Sequence, residues 1–371
     1  LHSITRPKQG RLDGIDLLRA LAIFLVLMNH VNMRLRIAKI PYTDGLPDQL
    51  VSSLVWSGQF GVQIFFAVSG FLITSTSLQR WGSLPQLSIR RFYVLRFARI
   101  APLLILLLII LSGLNFAKLD DFVVQQNTGG LGRALFAALT FHINVLEATR
   151  GYLPGNWDIL WSLSVEETFY LFFPLIGRLL SPRLFIRILL VFVALGPFAR
   201  TVLSQNNEVW REYSYLGGMD AIALGCLTAL FAAGHPLSRT VLRTLGAAGV
   251  ALLILSLAFS LRAYAWGLGR NGLNMTIIAA GTCLLMVAAA QTKWRAPGFL
   301  DPVLSLGKLS YEVYLTHMFV VFAFFNLFIQ FGHPARAVPA LFAATILVAA
   351  VLGYLVSRFY SEPFNRRLRA L

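Results

Sequence analysis

The sequence predicts an all-α fold, a polytopic membrane helix bundle of about ten transmembrane helices plus one re-entrant or interfacial segment. Three observations carry that reading. Hydrophobic residues fill 57% of the 371 positions and charged residues only 13%, outside the balance of soluble domains. Apolar runs of about 20 residues, long enough to cross a hydrocarbon core as a helix, recur from end to end. Basic residues gather in the short breaks between those runs.

The runs fall at 17–38, 59–79, 97–116, 131–147, 159–178, 184–203, 214–233, 240–260, 272–291, 309–330 and 337–358. The first resembles a signal peptide in its basic flank and short apolar centre, but no small-residue cleavage site follows, so it reads as a retained span. If every run crossed, Arg178, Arg183 and Arg187 would fall outside. Taking the weakest run, LGRALFAALTFHINVLE, as re-entrant or interfacial leaves ten spans and puts all the arginine-rich breaks on one side. The positive-inside rule makes that side the cytoplasm and puts both termini there. Among the residues so placed are Arg6, Lys8 and Arg11 before the first run, and Arg366, Arg367 and Arg369 after the last.

The formal charge of +16 does not indicate nucleic acid, because the arginines mark membrane breaks and form no basic stripe with interleaved aromatics. Cys226 and Cys283 are the only cysteines and both sit in apolar runs, which excludes a disulfide framework or a cysteine-based metal site.

Polar residues at membrane depth are the functional signal. In LLRALAIFLVLMNHVN, Arg19 and His30 are eleven residues apart, about three helical turns and roughly 16 Å, so they share a face. In isolation the pair reads as a snorkelling arginine and a packing histidine. Other polar residues at depth argue for a site. Glu166, in WSLSVEETFYLFFP, lies about two turns inside on a face able to meet His30, and a carboxylate at the bilayer centre costs on the order of 3 kcal/mol unless partnered. Glu167 points about 100° away and ranks second. Ser69 and Gly70 fall at similar depth, as close-packing residues or as site residues. GKLSYEVYLTHMF contributes Tyr311, Glu312, Tyr314 and His317, the last lining the same cavity or bonding within the bundle. Arg96 and Arg99, three apart at the mouth of the third run, serve topology or grip the oxygens of a phosphorylated ligand.

Taken in order, IDLLRALAIFLVLMNH, GVQIFFAVSGFLIT, RRFYVLRFARIAP, WSLSVEETFYLFFP, GKLSYEVYLTH and SEPFN resemble the transmembrane acyltransferase-3 family, bacterial membrane enzymes that O-acylate sugars and polysaccharides. The resemblance spans nearly the whole chain and departs from the family at Leu17, where glycine is usual. It implies that residues 1–371 form one integral-membrane domain of the bacterial inner membrane, without the soluble esterase-like domain that some members append. It further implies that Arg19 and His30 are the essential pair of the first helix, that Arg96 and Arg99 help bind an acyl-CoA donor such as acetyl-CoA, and that Glu166 is functional. No permanently bound cofactor or metal is expected.

On that basis His30 is expected to act as general base on an acceptor hydroxyl, with Glu166 orienting the ring and an acyl-histidine intermediate as the variant route. Ser69, Asn29 and Tyr311 are the candidate oxyanion donors. The expected acceptor is a sugar or polysaccharide, free or lipid-linked. Trp56, Tyr152, Trp157 and Trp210 in the outer loops either stack on it or form an interfacial belt. A proton-coupled transporter of an anionic or sugar substrate is the alternative, since buried Arg, His and Glu also serve proton relays.

Overall fold

In a computed structural model, residues 12–204, 207–332 and 334–370 are described; Arg6, Lys8 and Arg11 lie outside them. The chain runs through α1 (Asp13–Ile37), α2 (Asp48–Val55), α3 (Gly58–Trp81) and α4 (Ile89–Phe116). Short helices α5 (Gly130–Leu139), α6 (Ile143–Arg150) and α7 (Gly155–Asp158) lead into α8 (Leu160–Leu179). Next come α9 (Pro182–Thr201), α10 (Glu208–Tyr213), α11 (Tyr215–Gly234), α12 (Arg239–Leu257), α13 (Ser260–Ala265) and α14 (Leu273–Thr292). The chain closes with α15 (Asp301–Lys308), α16 (Ser310–Gln330), α17 (Val338–Val356) and α18 (Glu362–Ala370). Among the described residues, ten helices are long and apolar enough to cross a membrane, and no strand occurs.

Local sequence explains the punctuation. Ser88, Ser181, Ser214 and Ser238 each accept a backbone N–H at the start of α4, α9, α11 and α12, replacing one of the partners that a helix start lacks. The 131–147 run does not make a span. It breaks at Phe141, whose φ of 56° ends α5, and neither α5 nor α6 reaches the length of a crossing. An even number of spans puts the start of α1 and the end of α17 on one face, here the N-terminal face. The ends of α15 and α18 belong to that face, and α2, α5–α7, α10 and α13 to the opposite one.

The helices at the centre are α1, α3, α8, α11 and α16, whereas α9 and α12 turn most of their surface outward. Apolar attraction between helices is weak in lipid, so close approach through small residues supplies the packing. Gly70 on α3 faces the Ile222 carbonyl of α11, and Gly225 on α11 faces the Ala67 carbonyl of α3, each at a distance that a Cβ would make a collision. Gly307 brings α15 against the Asp16 carbonyl of α1 in the same way. A buried ion pair adds direction: Arg200 on α9 holds Asp220 on α11 at 2.7 Å and also bonds Thr276 on α14 at 2.6 Å.

On the opposite face Glu147 is buried beside Asp158, with the Leu153 N–H donating to it at 3.0 Å. Burial first, and then the Asp158 charge, hold the Glu147 carboxyl well above its ordinary value near 4.5. The folded protein therefore keeps this proton where the unfolded chain gives it up. The stabilisation is fully present below about pH 4.5 and is lost as pH rises through the folded value. Glu147→Gln is expected to flatten the fall in melting temperature of the detergent-purified protein from about pH 5 upward. Gly70→Leu is expected to destabilise by about 1–3 kcal/mol through overpacking. Gly113→Ala, at a helical site with open space around it, leaves the melting temperature level or raises it, and thermal unfolding of the two side by side is the check.

Candidate active site

A cavity of about 330 Å³ opens between α1, α3, α4, α8 and α16. It brings together seven residues singled out from the sequence: Arg19, Ser69, Arg96, Arg99, Glu166, Tyr311 and Tyr314. Helical spacing explains the convergence. Arg96 and Arg99 share one face of α4, and Glu166 and Tyr170 are one turn apart on α8.

The arginines already have partners within the protein. Arg96 lies 2.7 Å from Glu167 Oε1 and 3.2 Å from Glu166 Oε1, with its guanidinium 3.5 Å above the Tyr170 ring. Glu166 in turn accepts from the Tyr170 hydroxyl at 2.8 Å and from Ser69. Arg99 pairs with Glu312 at 3.4 Å and stands 5.1 Å over the Tyr311 ring, whose hydroxyl donates to the Ile100 carbonyl. Arg19 donates to Ser310 Oγ at 3.1 Å and lies 3.6 Å from Asp16. Each guanidinium meets a carboxylate, and Arg96 meets two. Two carboxylates neutralise Arg96 more fully than Glu312 neutralises Arg99.

Nor does Glu166 orient His30. The polar neighbours of His30 are the Val26 carbonyl, 2.9 Å from Nδ1, and His317 Nε2, 3.2 Å from the same nitrogen. His317 Nδ1 lies 2.6 Å from the Tyr314 carbonyl. A carbonyl only accepts, so both rings are assigned as Nδ1–H tautomers. His317 Nε2 then accepts from His30 Nδ1–H, and His30 Nε2 carries a lone pair with no hydrogen-bond partner among the described residues. Such a nitrogen is set up to take a proton. Tyr314 joins this pair to the cavity: its ring lines the cavity and its centroid lies 5.8 Å from that of His317.

The remaining candidates fall elsewhere. Asn29 donates to the Val55 carbonyl and secures the end of α2. Trp157 is fully buried, so its ring is not a surface for stacking on a sugar, whereas Tyr152 and Trp56 are about half exposed. Ser69, held by Glu166 and Tyr170, supports the carboxylate. Tyr170 and Ser310 escaped the sequence reading; the Glu166 to Tyr170 spacing of four was the available signal for the first. Removing Arg96 strands two carboxylates that are at most a quarter exposed, at a cost of about 1–3 kcal/mol. Arg96→Ala is therefore expected to lower the melting temperature, and Arg96→Ala combined with Glu167→Gln to recover part of the loss in a double-mutant cycle.

Comparison with known proteins agrees with this architecture. The chain is 22% identical to O-acetyltransferase OatA of Staphylococcus aureus, over 96% of its own length and 57% of that protein. It is 25% identical to SACOL0978 of the same organism, over 98% of its own length and 59% of that protein. It thus spans less than two thirds of the curated relatives it matches. No solved structure matches it. The model of the acyltransferase-3 family, described as an acyltransferase domain, matches residues 12–357, from the first turn of α1 to the end of α17, and the chain belongs to that family.

Proposed function

We propose that the protein is a membrane O-acyltransferase that moves an acetyl group from acetyl-CoA to a hydroxyl of a sugar or polysaccharide, free or lipid-linked. The supporting observation is the position of Tyr314, whose ring lines the arginine-lined cavity and lies 5.8 Å from that of His317, the hydrogen-bond partner of His30; neither histidine lines that cavity itself. The N-terminal face, where the basic residues concentrate, is the cytoplasmic face of the inner membrane in this reading. The donor enters there, and its long pantetheine arm covers the roughly 16 Å from Arg19 to His30.

In the transfer step His30 Nε2 takes the proton of the acceptor hydroxyl as that oxygen attacks the thioester carbonyl. The C–S bond breaks, the ester C–O bond remains, and the CoA thiolate leaves with the proton from His30. Acetyl-CoA and alcohol become acetyl ester and CoA thiol, with no other reactant. While His30 is charged, its Nδ1–H is held by His317 Nε2 and the Val26 carbonyl, which fix the ring much as the third member of a hydrolase triad does. Glu166 and Glu167 act at one remove by fixing Arg96 beside the thioester path.

The test is transfer of radiolabelled acetyl from acetyl-CoA to polysaccharide in inverted inner-membrane vesicles. His30→Ala, present and monodisperse in detergent, is expected to lose on the order of 10²–10⁴ in rate, the usual contribution of a general base. His317→Ala is expected to lose less and to shift the pH profile. Equal labelling by wild type and His30→Ala overturns the assignment of the base, and a wild type that labels no acceptor overturns the reaction.

A further inference from the structure

A second cavity, of about 680 Å³, lies on the N-terminal face between the starts of α1 and α16, the end of α17 and α18. It shares Arg19 and Arg99 with the reaction cavity, so the two spaces meet at those side chains. Lys308, Arg366 and Arg369 complete a ring of five cations, against which only Glu312 and Glu362 supply carboxylates. Those two are already paired, Glu312 with Arg99 and Glu362 with Arg366 at 2.9 Å. The cationic excess extends behind the wall: Arg91 donates to the Arg369 carbonyl at 2.9 Å, and Arg80 and Arg91 both act on the Arg369 charge.

Topology alone accounts for basic residues on this face, but not for their convergence on one concavity. A π-helical turn at Ser357–Ser361 links α17 to α18, and such turns often mark functional sites because they change the direction in which the next side chains point. The Tyr360 hydroxyl ties that turn to the Pro102 carbonyl of α4, the helix that carries Arg96 and Arg99.

We propose that this cavity seats the phosphate groups at the nucleotide end of the acyl donor, with α18 as its outer wall and Arg366 and Arg369 as phosphate ligands. The inference rests on the acyl-CoA reading above and relocates the anion contact from Arg96 to the shared Arg19 and Arg99 and the basic face of α18. A CoA thioester carries a 3′-phosphate and a 5′-diphosphate, a charge that suits several guanidiniums held in fixed positions. Its thioester then points through the gap at Arg19 and Arg99 toward Tyr314.

The probe is adenosine 3′,5′-bisphosphate, which lacks both pantetheine and thioester, titrated against the full chain in nanodiscs of zwitterionic lipid. Combined Arg366→Ala and Arg369→Ala substitution is expected to weaken its binding by roughly tenfold or more, and the corresponding Lys substitutions to restore part of it. In the transfer assay the wild-type preference for acetyl-CoA over acetyl-pantetheine is expected to collapse in the Ala variant. A purely structural role for α18 would depress both donors alike and leave the preference standing, which overturns the proposal. If, in a second set of nanodiscs that contain phosphatidylglycerol, that lipid binds at these arginines and the bisphosphate does not displace it, the cavity is a lipid headgroup site and the proposal is overturned. If the bisphosphate binds and depends on both arginines but no acetyl moves, the reaction reading falls and the phosphate site stands. If acetyl moves and the variants keep the preference, the site falls and the reaction stands.

Discussion

Hydrocarbon offers an ionised side chain no partner, so each charge carried into the bundle must find one on another helix, and that necessity organises the structure. Arg96 is satisfied only because α8 presents two adjacent carboxylates, which fixes the rotation of α4 against α8. Arg99 does the same for α4 against α16 through Glu312, and Arg19 for α1 against α16 through Ser310. Arg200 and Asp220 repeat the device between α9 and α11, away from the cavity. Polar pairs thus set helix rotation, while the glycines of α3, α11 and α15 set separation.

The histidines follow a different rule. Neither has a carboxylate, and each is held through Nδ1 by a carbonyl on its own helix, Val26 for His30 and Tyr314 for His317. Backbone carbonyls cannot exchange roles as donors, so the tautomer is set by the covalent frame. An imidazole held this way keeps its tautomer without a neighbouring anion, which in a medium of low dielectric would hold an added proton more tightly.

Much of this was legible in the sequence, and the gaps have a physical cause. Run length gave eleven candidate spans, the placement of the arginine-rich breaks set aside 131–147 and left ten, and helical periodicity placed Arg19 with His30 and Arg96 with Arg99 on common faces. Those are properties of a single helix. Which helices meet is not, and there the reading failed: Glu166 was matched to His30 but meets Arg96, and Glu167, ranked below it, makes the shorter contact. A guanidinium has five donors and accepts two neighbouring carboxylates although their side chains start about 100° apart. Trp157 was misplaced for a similar reason, since an aromatic in an outer loop looks exposed until its own short helix, α7, packs against α6, α8 and α16.

Tyr314 stands where the arginine-lined cavity gives way to the histidine pair, with its hydroxyl donating to the Ile159 carbonyl at 3.0 Å and lying 2.7 Å from Ser162 Oγ. Phe65 meets its ring edge-on at 6.0 Å. This aromatic plug has an electrical consequence. A bundle that crosses a charged membrane must not become a wire for protons, and an unbroken water file beside imidazole rings would be one. A phenol ring tied to the start of α8 takes up part of the space that such a file would need.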